Sequence, residues 1–159
     1  MTAIRAATPA DVATVLRFVR ELAAFEREPE AVEATEAMLA EALFGEAPAA
    51  EAVVAEQSGE PVGFALFFPN FSTWTGRRGL YLEDLYVTPA ARGCGVGRAL
   101  LRHLAALAIE RGCARFEWSV LDWNADAIAF YRALGAVGME EWTVQRVSGE
   151  ALARLAGQG

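Results

Sequence analysis

The 159-residue chain contains no lysine, and its fourteen basic side chains are all arginine. A nucleoside-triphosphate P-loop closes on lysine followed by serine or threonine, so that chemistry has no candidate here. The lack of lysine beside abundant alanine reflects a GC-rich coding sequence and points to no function. There is one histidine, His103, set among leucines and alanines in a helical stretch, and it reads as structural or exposed rather than catalytic. The two cysteines, Cys94 and Cys113, have no metal-type spacing, which suits a reducing compartment and predicts no metal. Cys113 reads as a small buried hydrophobe, and Cys94, with no histidine near it in sequence, is a poor candidate nucleophile. No apolar run reaches the roughly 18 residues of a membrane span, and "MTAIRAATPADV" has no basic stretch followed by an apolar one. A cytoplasmic protein with no membrane partner is expected.

The residues present describe a globular chain: 54% hydrophobic and 22% charged, enough to build a core within one domain spanning 1–159. The formal charge is −7, and glutamates crowd between Glu21 and Glu60. Nucleic acid is therefore not an expected partner. Such a field either steers a cationic small molecule or is an ordinary acidic surface.

Periodicity gives the order strand, two helices, three strands, helix, strand, helix, strand, with a short tail helix. "TAIRAA" is the first strand. Thr8 caps a helix with Pro9 in its first turn and Val12, Val15, Leu16, Val19 and Leu22 on its buried stripe. A second helix starts after Thr35, turns Met38, Leu39 and Leu43 inward and stops at Gly45. "AAFEREPEAVEA" between them is a candidate lid or acceptor loop. "AEAVVAEQ" and "PVGFALFFP" make a hairpin around Ser58 and Gly59. A long connection, "NFSTWTGRRG", leads to a strand over 80–87, a helix over 96–111, the strand "RFEWSVL", the helix "ADAIAFYRALG" and a last strand near "EEWTVQRV".

"RGCGVGR", Arg92 to Arg98, places three glycines at alternate positions between a strand and a helix. Backbone N–H groups at a helix N-terminus suit a phosphate. A dinucleotide fingerprint fails, because five residues separate the strand from Gly93 and the glycines alternate at 93, 95 and 97. The pattern Arg-x-x-Gly-x-Gly after a strand and at the head of a helix does fit. With it, "YVTPAARGCGVGRALL" resembles the acetyl-CoA signature of the GNAT superfamily of N-acetyltransferases. "YLEDLYV", "RGCGVG", "LDWN" and "FYRALGA", in that order, are similar to its spermidine/spermine and thialysine branch.

The resemblance implies an α/β (α+β) domain with a mixed, mostly antiparallel central sheet flanked by helices. It implies acetyl-CoA as co-substrate, with Arg92, Gly93, Cys94, Gly95, Val96, Gly97 and Arg98 around its diphosphate and Leu85, Tyr86 and Val87, on a bulged strand, beside its thioester. Asn124, Ala125, Asp126, Ala127 and Tyr131 complete the cofactor-near set. Asn124 also caps the helix that follows, which by itself needs no ligand. Cys94 stands where the family often places another residue, a change that a loop binding through its backbone tolerates.

The implied reaction makes separable demands. An alkylammonium of pKa about 10.4 must lose a proton before it attacks, at a cost of roughly 4 to 5 kcal/mol at neutral pH. The thioester oxygen needs preorganised donors, and the departing sulfur needs an acid. Glu83 and Asp84 are adjacent acids in an apolar strand, where consecutive side chains point to opposite faces unless a bulge intervenes. By resemblance Glu83 faces the amine as base, directly or through water, and Tyr131 is the acid. A structural role remains open for each of these residues. Phe25 and Glu26 are implied to lie beside the acceptor, although Glu26 is equally one of a solvated glutamate run. Trp74 and Trp123 either wall the site or pack in the core.

The acceptor implied is a small cationic primary amine, with the "STW-G" and "LDWN" segments agreeing better with thialysine-like amino acids than with spermidine. A homodimer is implied through the C-terminal strands, with the last strand shorter than in close relatives. The competing reading is a non-catalytic acyl-CoA-binding sensor or assembly module. Retention of both Glu83 and Tyr131 favours the enzyme, since binding alone needs neither.

Overall fold

"VVA" and "VGFALFF" are too continuously apolar for a sheet with one wet face, and they become central strands buried on both sides. The computed structural model describes residues 1–158, in two compact units divided after Leu121. In the first unit five strands, β1 (Thr2–Ala6), β2 (Glu51–Gln57), β3 (Glu60–Ser72), β4 (Arg77–Val87) and β5 (Phe116–Trp118), lie side by side in sequence order. Pairing is antiparallel from β1 to β4 and parallel between β4 and β5, the mixed sheet expected from the sequence.

Paired residues share a face, so the register sorts the side chains. Ala52, Phe64, Leu66 and Tyr86 pack on α1 (Val12–Phe25) and α2 (Glu36–Phe44) through Val15, Phe18 and Leu43. The opposite face carries Val53, Ala65, Phe67 and Leu82. On that side α3 (Val96–Glu110) brings Val96, Leu100 and Leu104 into the core. Phe18 lies at its centre, with ring centroids 5.8 Å from Phe64 and 5.6 Å from Tyr86. Burying each such ring is worth about 1.5–3 kcal/mol, so this cluster holds α1 on the sheet.

Several sequence expectations change. Thr8 caps a 3-10 turn, Pro9–Asp11, before α1 begins; its backbone N–H donates to Asp11 Oδ2 at 2.7 Å, and Arg5 Nη1 donates to the same oxygen at 2.7 Å. Met38 is 58% exposed rather than inward, because Leu39 and Leu43 already fill the inner side of a two-turn helix. The long connection shrinks to residues 73–76, since β3 and β4 continue pairing out to Ser72 and Arg77. Cys113 is only half-buried.

The second unit, described over residues 122–158, contains α4 (Ala125–Ala133) and α5 (Gly149–Leu155). The expected strand at "EEWTVQRV" is not formed among the described residues. A strand needs a ladder partner; here Trp142 N turns back to Met139 O at 3.2 Å, and Trp142 and Val144 stay exposed.

Candidate active site

The register of β3 against β4 breaks at one point. Leu66 pairs with Asp84 and Phe67 with Leu82, leaving Glu83 as the unmatched residue of a β-bulge. The bulge was expected around Leu85 to Val87 and lies two residues earlier, where two adjacent acids interrupt the apolar strand. Its consequence is a switch of faces. Leu82 sits with Phe67, whereas Asp84 shares the face of Leu66, Tyr86 and α1. Glu83 is exposed.

The carboxyl of Asp84 is therefore the perturbed one. Burial first, then the charges of Glu83 and Glu26, push it from the ordinary 3.8 up to about 6. Glu26, at the C-cap of α1, is itself raised by burial. The charge of Glu26 thus adds to the cost of ionising Asp84, a carboxyl that the sequence reading had not set beside Glu26 and Glu83. Adjacent acids were the signal for Asp84, but choosing between them required the bulge.

Past the bulge β4 also loses a neighbour, because β5 pairs only with Leu80, Tyr81 and Leu82. Thr88 N donates to Val62 O at 2.8 Å, which makes Thr88 and Val62 a bonded pair. By antiparallel alternation the N–H groups of Leu85 and Val87 point away from β3, towards the edge β5 has left. Those two amides are the outward donors of the expected Leu85–Val87 segment. Tyr86 between them turns inward, and its phenol donates to Glu21 Oε1 at 2.9 Å, a partner sequence reasoning missed. Burial and that bond raise the phenol's pKa.

The loop of Arg92 to Arg98 follows a 3-10 turn, Pro89–Ala91. Gly93 and Gly95 have φ of 78° and 83°, a left-handed backbone that favours glycine, and a Cβ at either would meet nothing within 4 Å. Gly95 is the N-cap of α3, whose first turn carries no acidic residue. Open space, glycine backbone and an uncompensated helix N-terminus beside the exposed Arg98 fit a diphosphate. Val96 is buried beneath the loop and anchors it, while Cys94 and Arg98 are exposed. Arg92 turns its side chain the other way. Its Nε donates to Val87 O at 2.9 Å, and its guanidinium carbon lies 5.3 Å from the Phe25 ring centroid.

In the second unit Asn124 Oδ1 accepts from Ala127 N at 3.3 Å, so Asn124 is the N-cap of α4, with Asp126 in its first turn. Ala125 opens the helix, and Tyr131 lies half-buried on it with its ring 5.6 Å from Phe130. Trp74 and Trp123 are both exposed, which excludes the core-packing reading, and His103 is exposed as expected.

Residues 16–136 match the model of the Acetyltransferase (GNAT) family. The chain is 41% identical over 166 residues to a thialysine N-epsilon-acetyltransferase of Sus scrofa, covering 98% of this chain and 97% of that one. It is 31% identical to an L-ornithine N5-acetyltransferase of Arabidopsis thaliana, over 94% and 85% of the two chains. Among solved structures, an integron cassette protein from the mobile metagenome of V. cholerae superimposes with a TM-score of 0.80 at 30% identity, over 98% and 97%. The chain belongs to the GNAT family of acetyltransferases and is an acetyl-CoA-dependent N-acetyltransferase.

Proposed function

We propose that the protein acetylates the side-chain amine of a small cationic amino acid of the thialysine, lysine or ornithine type, with diamines and polyamines as weaker acceptors. One observation carries this: the desolvated carboxyls of Asp84 on β4 and Glu26 at the end of α1, the first raised further by the charge of the second. Each is stabilised by an approaching ammonium, and the relatives named for thialysine and ornithine act on that kind of molecule.

Acetyl-CoA supplies the activated acetyl group and leaves as a thiol. Main-chain amides of Gly93 to Gly97 would hold its diphosphate, with Asn124, Ala125, Asp126 and Ala127 also near the cofactor. The outward amides of Leu85 and Val87 would meet the developing negative charge on the acyl oxygen. Glu83 is assigned the base by resemblance, working directly or through water. Asp84 is the second reading, because burial gives its carboxyl the affinity for a proton that a base near neutral pH needs. Tyr131 is assigned the acid, and Phe25 and Glu26 the acceptor contact. The family match runs past the division after Leu121 to residue 136, which supports treating 1–159 as one catalytic domain.

Thiol release from acetyl-CoA should be fastest with thialysine, lysine or ornithine and slower with putrescine or spermidine. Measurable cofactor binding with no turnover of any amine would favour the sensor reading instead. We also assign a cytoplasmic homodimer. Exposed Val137, Met139, Trp142 and Val144 support it, as apolar surface that a second copy would cover. Light scattering should give twice the 17.1 kDa chain mass, and a monomer across the micromolar range would rule the dimer out.

A further inference from the structure

Arg92 is the first residue of the glycine loop, yet its side chain makes no use of the loop's open side. Its Nε holds Val87 O at 2.9 Å, on the β4 edge that β5 has left. Its guanidinium carbon is 5.3 Å from the centroid of Phe25 and 5.6 Å from that of Tyr86. Tyr86 is held in turn by its bond to Glu21 and by the ring of Phe18. Three elements thus meet on one cation: the glycine loop, the end of β4 and the last residue of α1.

We propose that Arg92 is a positioning residue, a strut joining the diphosphate loop to the acceptor end of α1 through Phe25, so that the state of Phe25 sets the affinity for CoA. The inference rests on the reading that residues 92–98 hold CoA and that Phe25 touches the acceptor. A guanidinium that was simply a phosphate ligand would make Phe25 irrelevant to CoA. A strut makes the two residues one unit, whose losses do not add. Arginine suits this role because its flat fork bonds a carbonyl while stacking on rings, which a lysine ammonium does not reproduce.

The test is calorimetric titration of CoA into wild type, Arg92→Lys, Phe25→Leu and the double variant, with Phe25→Tyr as the ring-preserving control. Each single variant should weaken CoA about three- to tenfold, as expected for a cation held on a ring. The double variant should be no weaker than the worse single one, and Phe25→Tyr should restore wild-type affinity. Steady-state kinetics of Arg92→Lys should show raised KM for both substrates with kcat nearly unchanged. Wild-type affinity in Phe25→Leu, or losses that multiply in the double variant, would overturn the strut. A wild-type protein that binds CoA but acetylates no amine would end the proposed acceptor chemistry, while the binding cycle would still decide the strut.

Discussion

At pH 7.5, Asp84→Asn is expected to give a protein that is more stable and, if Asp84 is the base, far less active. The folded chain raises the Asp84 carboxyl from 3.8 to about 6, chiefly by burial and then through Glu83 and Glu26. Between those values the folded state binds a proton that the unfolded state has lost, so stability falls as pH rises through that window and is flat above it. Ionised Asp84 therefore costs on the order of 1–3 kcal/mol at neutral pH. Removing the charge recovers most of that, and the gain should vanish near pH 4, which urea unfolding at the two pH values would check. A group retained at such cost is what an acid–base site requires, and its loss should lower kcat by about 10²–10³ if Asp84 is the base. Glu83→Gln separates the two carboxyls. If Asp84 titrates, deleting the neighbouring negative charge moves the acid limb of kcat, at saturating acceptor, to lower pH with the limb intact. If Glu83 is the base, the limb disappears in Glu83→Gln and persists in Asp84→Asn.

That ambiguity marks where the sequence stopped being legible. Elements with strong periodicity were readable: the stripe of α1, the hairpin at Ser58 and Gly59, and the helix opening at Val96. The glycine loop was readable because left-handed residues before a helix leave few substitutes for glycine, and Gly93 and Gly95 do adopt that conformation. The bulge was not. It depends on which residue of β4 fails to find a partner on β3, a long-range register that no local pattern encodes. A displacement of two residues moved Asp84 onto the face of α1 and left Glu83 exposed. The strand expected at "EEWTVQRV" failed for a related reason: alternating Trp142 and Val144 become a strand only where another segment pairs with them, a long-range matter that the alternation does not encode. Arg92 was placed in the cofactor loop by its position in a motif, whereas its side chain follows the carbonyl and the rings that the fold puts beside it.

Tyr131→Phe should lower kcat by about 10²–10³ while leaving CoA affinity within a factor of about two. The substitution removes one hydroxyl and keeps the ring that lies against Phe130, so α4 and its Asn124 cap should be undisturbed. A phenol with a reference pKa near 10 gives its proton to a sulfur whose thiol pKa is near 8.5 at an uphill cost of about 2 kcal/mol. That is small beside the barrier of an acyl transfer and acceptable for an acid that works only as the sulfur departs. The hydroxyl's role can then be read from the leaving group. A thioester whose thiol has a much lower pKa, such as a nitrothiophenyl acetate, needs no proton on departure. With that donor the turnover of Tyr131→Phe should approach that of the wild type. An equal deficit with both donors would mean that the hydroxyl positions the acceptor instead of protonating sulfur, and wild-type turnover with acetyl-CoA would remove Tyr131 from the chemistry altogether.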